Sequence, residues 1–267
     1  MRRFIPFIKQ PPTVNVVRLS GVIMSQSRGG GGLSDQGVGP VLEKAFSKGK
    51  PSAVALVLNS PGGSPVQSSL IGARIRRLAE KHDVPVHAFV EDVAASGGYW
   101  LAVAADDIWV DACSVVGSIG VISASFGAHD FIARYGVERR VYTAGKSKSM
   151  MDPFRPEKPE DVERLQGILT QIHGSFIDHV KDRRADRLTD DLDLFTGEVW
   201  VGQRAVDLGL ADGVDHVTPK MKELYGDKVK FQQFGQRRGF LSRLGARAMD
   251  DVSHAMQERA MFAQYGL

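Results

Sequence analysis

Runs of consecutive apolar residues alternate along the chain with stretches whose apolar residues recur at helical spacing. The runs Val14–Leu19, Ala53–Leu58 and Val84–Val90 predict strands. Strands that read as nearly continuous apolar runs are buried on both faces of a parallel sheet. Helical patterns are found over Val41–Phe46, in a stretch that ends near Lys81, and after the third strand. This alternation predicts an α/β fold with a mainly parallel sheet and flanking helices.

The rest of the chain predicts shorter elements and one long helix. Strands are predicted at Asp107–Val110, Ser118–Ser123 and Arg140–Thr143, and helices near Phe126–Tyr135 and Glu160–Ala185. From about Gly239, apolar residues recur at nearly helical spacing among charged ones. That pattern predicts a helix packed on its own domain or on a sister subunit, with membrane-surface binding as the less favoured alternative.

Charge and cysteine content narrow the classes of partner and compartment. The 34 basic and 31 acidic residues nearly balance, and the basic ones form no long block, so no nucleic-acid partner is expected. Cys113 is the only cysteine, which excludes an intramolecular disulfide, and we interpret it as a small core residue. The first apolar run is interrupted by Pro6 and Lys9, so neither a signal peptide nor a membrane span is predicted. We expect a cytoplasmic protein and leave peripheral membrane association open.

Unusual residues follow two of the predicted strands. Asn59-Ser60-Pro61-Gly62-Gly63 comes after the second strand, and Ala95-Ser96-Gly97-Gly98 follows the third. Ligands bind beyond the carboxyl ends of strands in α/β sheets, and glycine N–H groups at such turns can stabilise an oxyanion. Ser96 is either a nucleophile or only the N-cap of the next helix, and this segment alone does not decide between them.

A serine nucleophile needs a base. None of the 7 histidines lies in a glycine-rich or strand-end setting. Lys146 and Lys148 lie in a loop after a predicted strand, close to Met150, Met151 and Phe154. A lysine accepts a proton only as the neutral amine, which apolar surroundings favour. The residues suggest a lysine base without choosing between the two.

Five motifs, in this order, resemble the signal peptide peptidase A family: NSPGG, ASGGYW, VGSIGVI, AGKSKSMMDPF and EVWVGQRAVDLGLADGV. The resemblance covers about 14–217 and is to a single-domain short form. It implies a spiral fold like that of crotonases and Clp proteases, and a Ser–Lys dyad. By this resemblance Ser96 is the nucleophile, Lys148 the base and Ser118 a hydrogen-bond partner of the lysine, with the N–H groups of Gly63 and Gly97 as oxyanion donors.

Two departures from the family pattern are visible. Ser147 stands where many relatives carry an aromatic residue, which leaves the chemistry untouched. The usual N-terminal membrane span is not predicted, which puts a membrane location in doubt. The resemblance divides the chain into an extension over 1–13, a peptidase domain over 14–218 and a helical extension over 219–267.

The resemblance implies hydrolysis of peptide bonds in small or extended peptides, such as remnant signal peptides. The reaction would run through an acyl-enzyme without metal or organic cofactor. It also implies a homo-oligomer whose active sites combine the serine and the lysine of adjacent protomers. Two alternatives remain: an acyl-CoA hydratase or isomerase of the crotonase type, with Glu91 and Asp92 as the only obvious acid/base candidates, and an inactive scaffold that binds peptides.

Overall fold

A computed structural model describes residues 11–25, 32–235 and 259–267. The strands are β1 (Thr13–Ser20), β2 (Ala53–Ser60), β3 (Val86–Ala95), β4 (Asp107–Val110), β5 (Val115–Gly117), β6 (Val199–Val201), β7 (Gly213–Val214) and β8 (Lys230–Phe234). The helices are α1 (Asp35–Ser47), α2 (Pro65–His82), α3 (Gly97–Val103), α4 (His129–Arg134), α5 (Pro159–Arg184), α6 (Gly202–Asp207) and α7 (Val217–Tyr225), and a 3-10 turn (Ala185–Arg187) follows α5.

The strands form one sheet in the order β6-β5-β3-β2-β1-β8, with β4 pairing with both β3 and β7. Among the described strands, only the β5–β6 pair is antiparallel. β3 has two neighbours on one side, because His87–Val90 pairs with β4 and Val93–Ala95 pairs with β5. The predicted α/β class with a mainly parallel sheet and flanking helices is confirmed.

Helix caps and burial explain why the first half of the chain follows its sequence pattern so closely. All residues of Ala53–Leu58 are buried, as expected for a central parallel strand. Ser64 caps α2 by accepting from the N–H of Gln67, and Pro65 occupies the first turn, where its missing N–H costs nothing. Ile71 and Ile75 then bury one face of α2 in the core. Together these features fix the turn between β2 and α2.

Two predicted strands, Ser118–Ser123 and Arg140–Thr143, are wrong, and the helix near Phe126–Tyr135 is shorter than predicted. The apolar side chains there point to solvent: Ile122 is 86% exposed and Tyr142 is 91% exposed. Apolar residues often remain on a protein surface, so an apolar run alone does not establish a buried strand. Among the described residues, no strand pairs with the 121–158 segment.

Cys113 is exposed, so its interpretation as a core residue is wrong. It lies in the turn after β4, where its N–H donates to Asp111 Oδ1 at 2.8 Å. Within the range predicted as a helical extension, β8 pairs with β1 and widens the sheet. The helix predicted from Gly239 falls mostly on 236–258, outside the described residues. In the described part of the chain, no helix combines the length and apolar character needed to cross a membrane.

Candidate active site

The turn after β2 is held against the loop that follows β1. The N–H of Ile23 donates to the carbonyl of Gly62 at 2.7 Å, and the N–H of Ser64 donates back to the carbonyl of Ile23 at 2.7 Å. Gly63, between them, has φ +141°, and a Cβ on it would collide with the Ile23 carbonyl. Only glycine fits this position, and its N–H has no acceptor among the described residues.

Ser96 follows β3 in an uncommon backbone conformation. Its φ is 52° and its ψ is −122°, a region that costs a residue with a side chain about 1–3 kcal/mol. Hydrogen bonds hold it there, from the Ser96 N–H to the carbonyl of Gly117 at 2.8 Å and from the N–H of Trp100 to the Ser96 carbonyl at 3.0 Å. Its side chain makes no capping hydrogen bond, so the alternative that Ser96 only caps α3 lacks its expected contact.

The backbones of the two predicted oxyanion donors, Gly63 and Gly97, lie close together beside this serine. A Cβ built on Gly97 would lie 3.4 Å from the nitrogen of Gly63 and would collide with Ser68 Oγ. The Gly97 N–H opens α3 and, like that of Gly63, has no acceptor in the described part of the chain. Ser96 is partly exposed between the buried residues Ala95 and Gly97. A hydroxyl beside two unpaired N–H groups is the arrangement that acyl transfer needs.

Four of the five predicted site residues line one cavity of about 590 Å³: Ser96, Gly63, Gly97 and Ser118. Ser118 follows β5 with φ 50°, and its N–H donates to the carbonyl of Glu198 at 2.6 Å. Apolar side chains cover much of the cavity wall, among them Trp100, Val121, Ile122, Ile172 and Phe176. The cavity can therefore accept an apolar ligand next to the serine.

Lys148 does not line this cavity. It is exposed, in a turn closed by a 3.2 Å hydrogen bond from its N–H to the carbonyl of Gly145. The apolar residues near it in sequence do not enclose it, and Phe154 is 41% exposed. Within one protomer the fold thus gathers the serine, the two N–H groups and Ser118, and leaves Lys148 and Lys146 on the surface.

The acid/base candidates of the acyl-CoA alternative are engaged elsewhere. Glu91 pairs with Arg18, and Asp92 accepts a hydrogen bond from Asn59 Nδ2 at 2.6 Å. Neither carboxylate lines the cavity that contains Ser96. Within the described residues no cluster of histidine, cysteine, aspartate and glutamate could hold a metal ion.

Sequence reasoning missed the contribution of α5 to the cavity. Ile172 and Phe176 line it at a spacing of four residues, the signal that should have marked an inward-facing stripe. On the same helix, His173 Nε2 lies 3.0 Å from the carbonyl of Ile119. His179 Nε2 lies 3.1 Å from the carbonyl of Trp100 and its ring stacks on that indole. These histidines hold the cavity wall in place.

The cavity also contains residues that no pattern in the sequence had indicated. Met261, Gln264 and Tyr265 line it, and the Tyr265 hydroxyl donates to Ser118 Oγ at 3.4 Å. Because 147 positions separate Ser118 from Tyr265, no local pattern could reveal this contact.

Two known proteins illustrate what this chain is similar to. The protein named Na(+)/H(+) antiporter NhaA of Brucella melitensis is 46% identical over 289 residues, which cover 100% of this chain and 39% of that protein. The chloroplastic serine protease SPPA of Arabidopsis thaliana is 32% identical over 209 residues, covering 75% of this chain and 30% of that protein. The chain thus spans less than half the length of either relative.

Among solved structures, a mutant of the 1510-N membrane-bound stomatin-specific protease aligns with 86% of this chain and 100% of its own, at 14% identity and a TM-score of 0.45. The sequence model of Peptidase family S49 matches residues 79–229, more than half of the chain. That range contains Ser96, Gly97, Ser118 and Lys148. The resemblance predicted from the five motifs is confirmed, and the chain belongs to Peptidase family S49.

Proposed function

We propose that this chain is a serine peptidase whose nucleophile is Ser96 and whose general base is Lys148. One observation carries the proposal: the strained, uncapped Ser96 lies beside the N–H groups of Gly63 and Gly97, which have no acceptor in the described residues. Backbone strain persists where the surrounding fold imposes it, and it clusters at functional positions.

The reaction follows from these positions. The Ser96 oxygen attacks the peptide carbonyl while its proton passes to the neutral amine of Lys148. The oxyanion of the tetrahedral intermediate accepts hydrogen bonds from Gly63 and Gly97. Collapse breaks the C–N bond, and the lysine returns the proton to the leaving amine. Water then attacks the acyl-enzyme, again giving its proton to the lysine, which passes one back to Ser96 as the ester breaks.

Ser118 is proposed as a positioning residue for Lys148. It lines the same cavity as Ser96, and the positive φ of its backbone is fixed by the bond from its N–H to Glu198. A hydroxyl can accept a hydrogen bond from the lysine amine and so orient it towards the serine. Loss of this contact would weaken the orientation and leave the base itself in place.

The substrates we propose are small or extended peptides with apolar side chains, such as remnant signal peptides. The apolar wall formed by Trp100, Ile172 and Phe176 supports this class. Signal peptides carry an apolar core of about 7–15 residues. An extended peptide would supply such side chains next to Ser96 and gain affinity from removing them from water.

We propose further that each active site is shared between adjacent protomers of a homo-oligomer. Lys148 lies outside the cavity of its own chain, on a segment whose apolar side chains are unusually exposed. Phe126 is 93% exposed and Tyr142 is 91% exposed. Exposed large apolar side chains of this kind are typical of protein interfaces. A neighbour that covers it would bring Lys148 to the serine of the next chain.

We also propose that the protein associates peripherally with a membrane. The whole chain is similar to 39% of a Brucella melitensis protein named an antiporter, and antiporters are membrane proteins. Peripheral association with a membrane would give the enzyme access to apolar peptides that leave the bilayer.

Labelling with a fluorophosphonate tests the nucleophile. The reagent is expected to modify the wild-type chain at one serine, and Ser96→Ala is expected to abolish both the labelling and peptide hydrolysis. Activity of Ser96→Ala should fall more than about a thousandfold. Ser175→Ala, an exposed serine of α5, is the matched control and should label like wild type. Labelling that survives in Ser96→Ala would refute the assignment.

A further inference from the structure

Residues 259–267 form part of the wall of the cavity in which the proposed chemistry takes place. Met261, Gln264 and Tyr265 line it together with Ser96 and Gly97. Met261, Phe262 and Tyr265 are partly buried, whereas the other residues of 259–267 are exposed. Met261 and Tyr265 therefore border the cavity, whose lining also includes Trp100 and Phe176.

Residues 259–263 are helical and residues 264–266 form a turn, so the segment is not an extended strand. The N–H groups of Tyr265 and Leu267 donate to the carbonyl of Phe262 at 2.9 Å and 3.3 Å, and that of Gly266 donates to Ala263 at 3.0 Å. A peptide held by strand addition needs free N–H and carbonyl groups along its backbone. The N–H groups of residues 265–267 are instead bonded within the segment, so it does not lie beside Ser96 as an extended substrate would.

Among the described residues, the segment makes one side-chain hydrogen bond to the site. Its acceptor is Ser118, the residue that we propose orients Lys148. The Tyr265 hydroxyl donates to Ser118 Oγ, at 3.4 Å. A donor–acceptor distance of this length is at the weak end of hydrogen bonds. While the bond persists, Tyr265 stands beside the hydroxyl that would orient the lysine.

We propose that residues 259–267 are an autoinhibitory plug, which must move away from Ser96 and Ser118 before an extended peptide binds along the cavity and Lys148 reaches Ser118. The inference rests on the proposed function, because it names the regulation of the same site. A long hydrogen bond and three partly buried side chains hold the plug only weakly. Docking is therefore reversible, and an apolar peptide at sufficient concentration displaces the plug.

The test uses the full chain with Met261→Ser and Tyr265→Ser combined. With a fluorogenic apolar peptide as substrate, the apparent KM should fall about fivefold or more while kcat stays near the wild-type value, because the plug no longer reduces the fraction of competent sites. Ser96 should also react faster with a fluorophosphonate. Arg259→Ser, at an exposed position of the same segment, is the matched control and should behave like wild type. An unchanged KM and labelling rate in the double variant would overturn the proposal.

A second measurement does not depend on peptidase activity. A fluorescent peptide with the sequence of residues 259–267 is titrated into the double variant carrying Ser96→Ala, and its anisotropy is recorded. The control is the same peptide with Met261→Ser and Tyr265→Ser. Saturable binding of the natural peptide but not of the control supports the plug, and absence of binding of the natural peptide overturns it. If no chain reacts with fluorophosphonate, the proposed function fails, and this titration still decides whether the cavity binds the segment.

Discussion

The two regions that supply the proposed dyad differ in how the fold holds them. Ser96 follows a buried strand, and hydrogen bonds to Gly117 and Trp100 fix its backbone. Lys148 belongs to the 121–158 segment, in which the only helix, α4, contains no buried residue. One region is thus fixed within the protomer, whereas we propose that the other acquires a defined environment from a neighbouring protomer.

The difference shows what stabilises each half of the site: the serine half, which contains Ser96, and the lysine half, which is the 121–158 segment with Lys148. The conformation of Ser96 costs about 1–3 kcal/mol, which the packed sheet and α3 around it can offset. The exposed side chains of Phe126 and Tyr142 can gain about 25 cal/mol for each Å² of apolar surface that another chain covers. The serine half is thus held within the protomer, and we propose that assembly organises the lysine half.

The largest expected effect separates the two lysines of the exposed segment. Lys148→Ala should lower kcat/KM more than about a thousandfold, because the serine then lacks its base. Lys146→Ala, two positions away and also exposed, should retain most of the activity. Steady-state hydrolysis of a fluorogenic peptide measures both variants. The reverse ranking would mean that the base is Lys146.

An intermediate effect is expected at the boundary between the two regions. Ser118 lies in the cavity of the serine half, and we propose that it orients the lysine from the other half. Ser118→Ala should therefore lower kcat less than about 100-fold, below the roughly 100- to 10,000-fold contribution of a correctly placed general base. A loss as large as that of Lys148→Ala would make Ser118 part of the chemistry itself.

The smallest effect concerns stability, and it tests the rigidity of the serine half. Burial lowers the pKa of His179 from the usual value of 6.5, against the opposing effect of its hydrogen bond to Trp100. Below pH 6.5 the unfolded chain therefore takes up a proton more readily than the folded one, and the free energy of unfolding falls. The free energy of unfolding is restored as the pH rises to 6.5, the usual pKa of histidine.

Denaturant titrations at pH 7 and at about pH 5 measure this dependence. His179→Gln should reduce the pH dependence of the free energy of unfolding, since glutamine does not titrate. His129→Gln, on α4 in the exposed segment, is the control and should leave it unchanged. An identical dependence in wild type and His179→Gln would show that His179 does not stabilise the cavity wall in its neutral form.

Sequence patterns predicted the serine half well, for a physical reason. Ala53–Leu58 is apolar throughout because the strand is buried on both faces, and the turn at Gly63 tolerates no side chain because the Ile23 carbonyl blocks it. Burial of a strand requires a run of apolar residues, and steric exclusion requires glycine, so both can be recognised in a short stretch of sequence. Ser96 lies in such a stretch, between a buried strand and a glycine pair.

The exposed half could not be predicted in the same way. Ile122 and Tyr142 were interpreted as strand residues because they are apolar, yet they are exposed in the protomer. An apolar pattern alone does not show whether the residues are buried by their own chain, by another chain or not at all. The contact of Tyr265 with Ser118 could not be predicted from the sequence for another reason. It joins distant parts of the chain through a single side-chain hydrogen bond.

Subunit mixing tests most directly the claim that the two halves of the site come from different chains. Ser96→Ala and Lys148→Ala, each inactive alone, are combined in equal amounts, and subunit exchange is confirmed by native mass spectrometry. If sites are shared between adjacent protomers of a closed ring, about a quarter of them pair an intact serine with an intact lysine, and activity returns to that fraction of wild type. Continued inactivity after complete exchange would contradict the account, because each chain would then hold its own dyad.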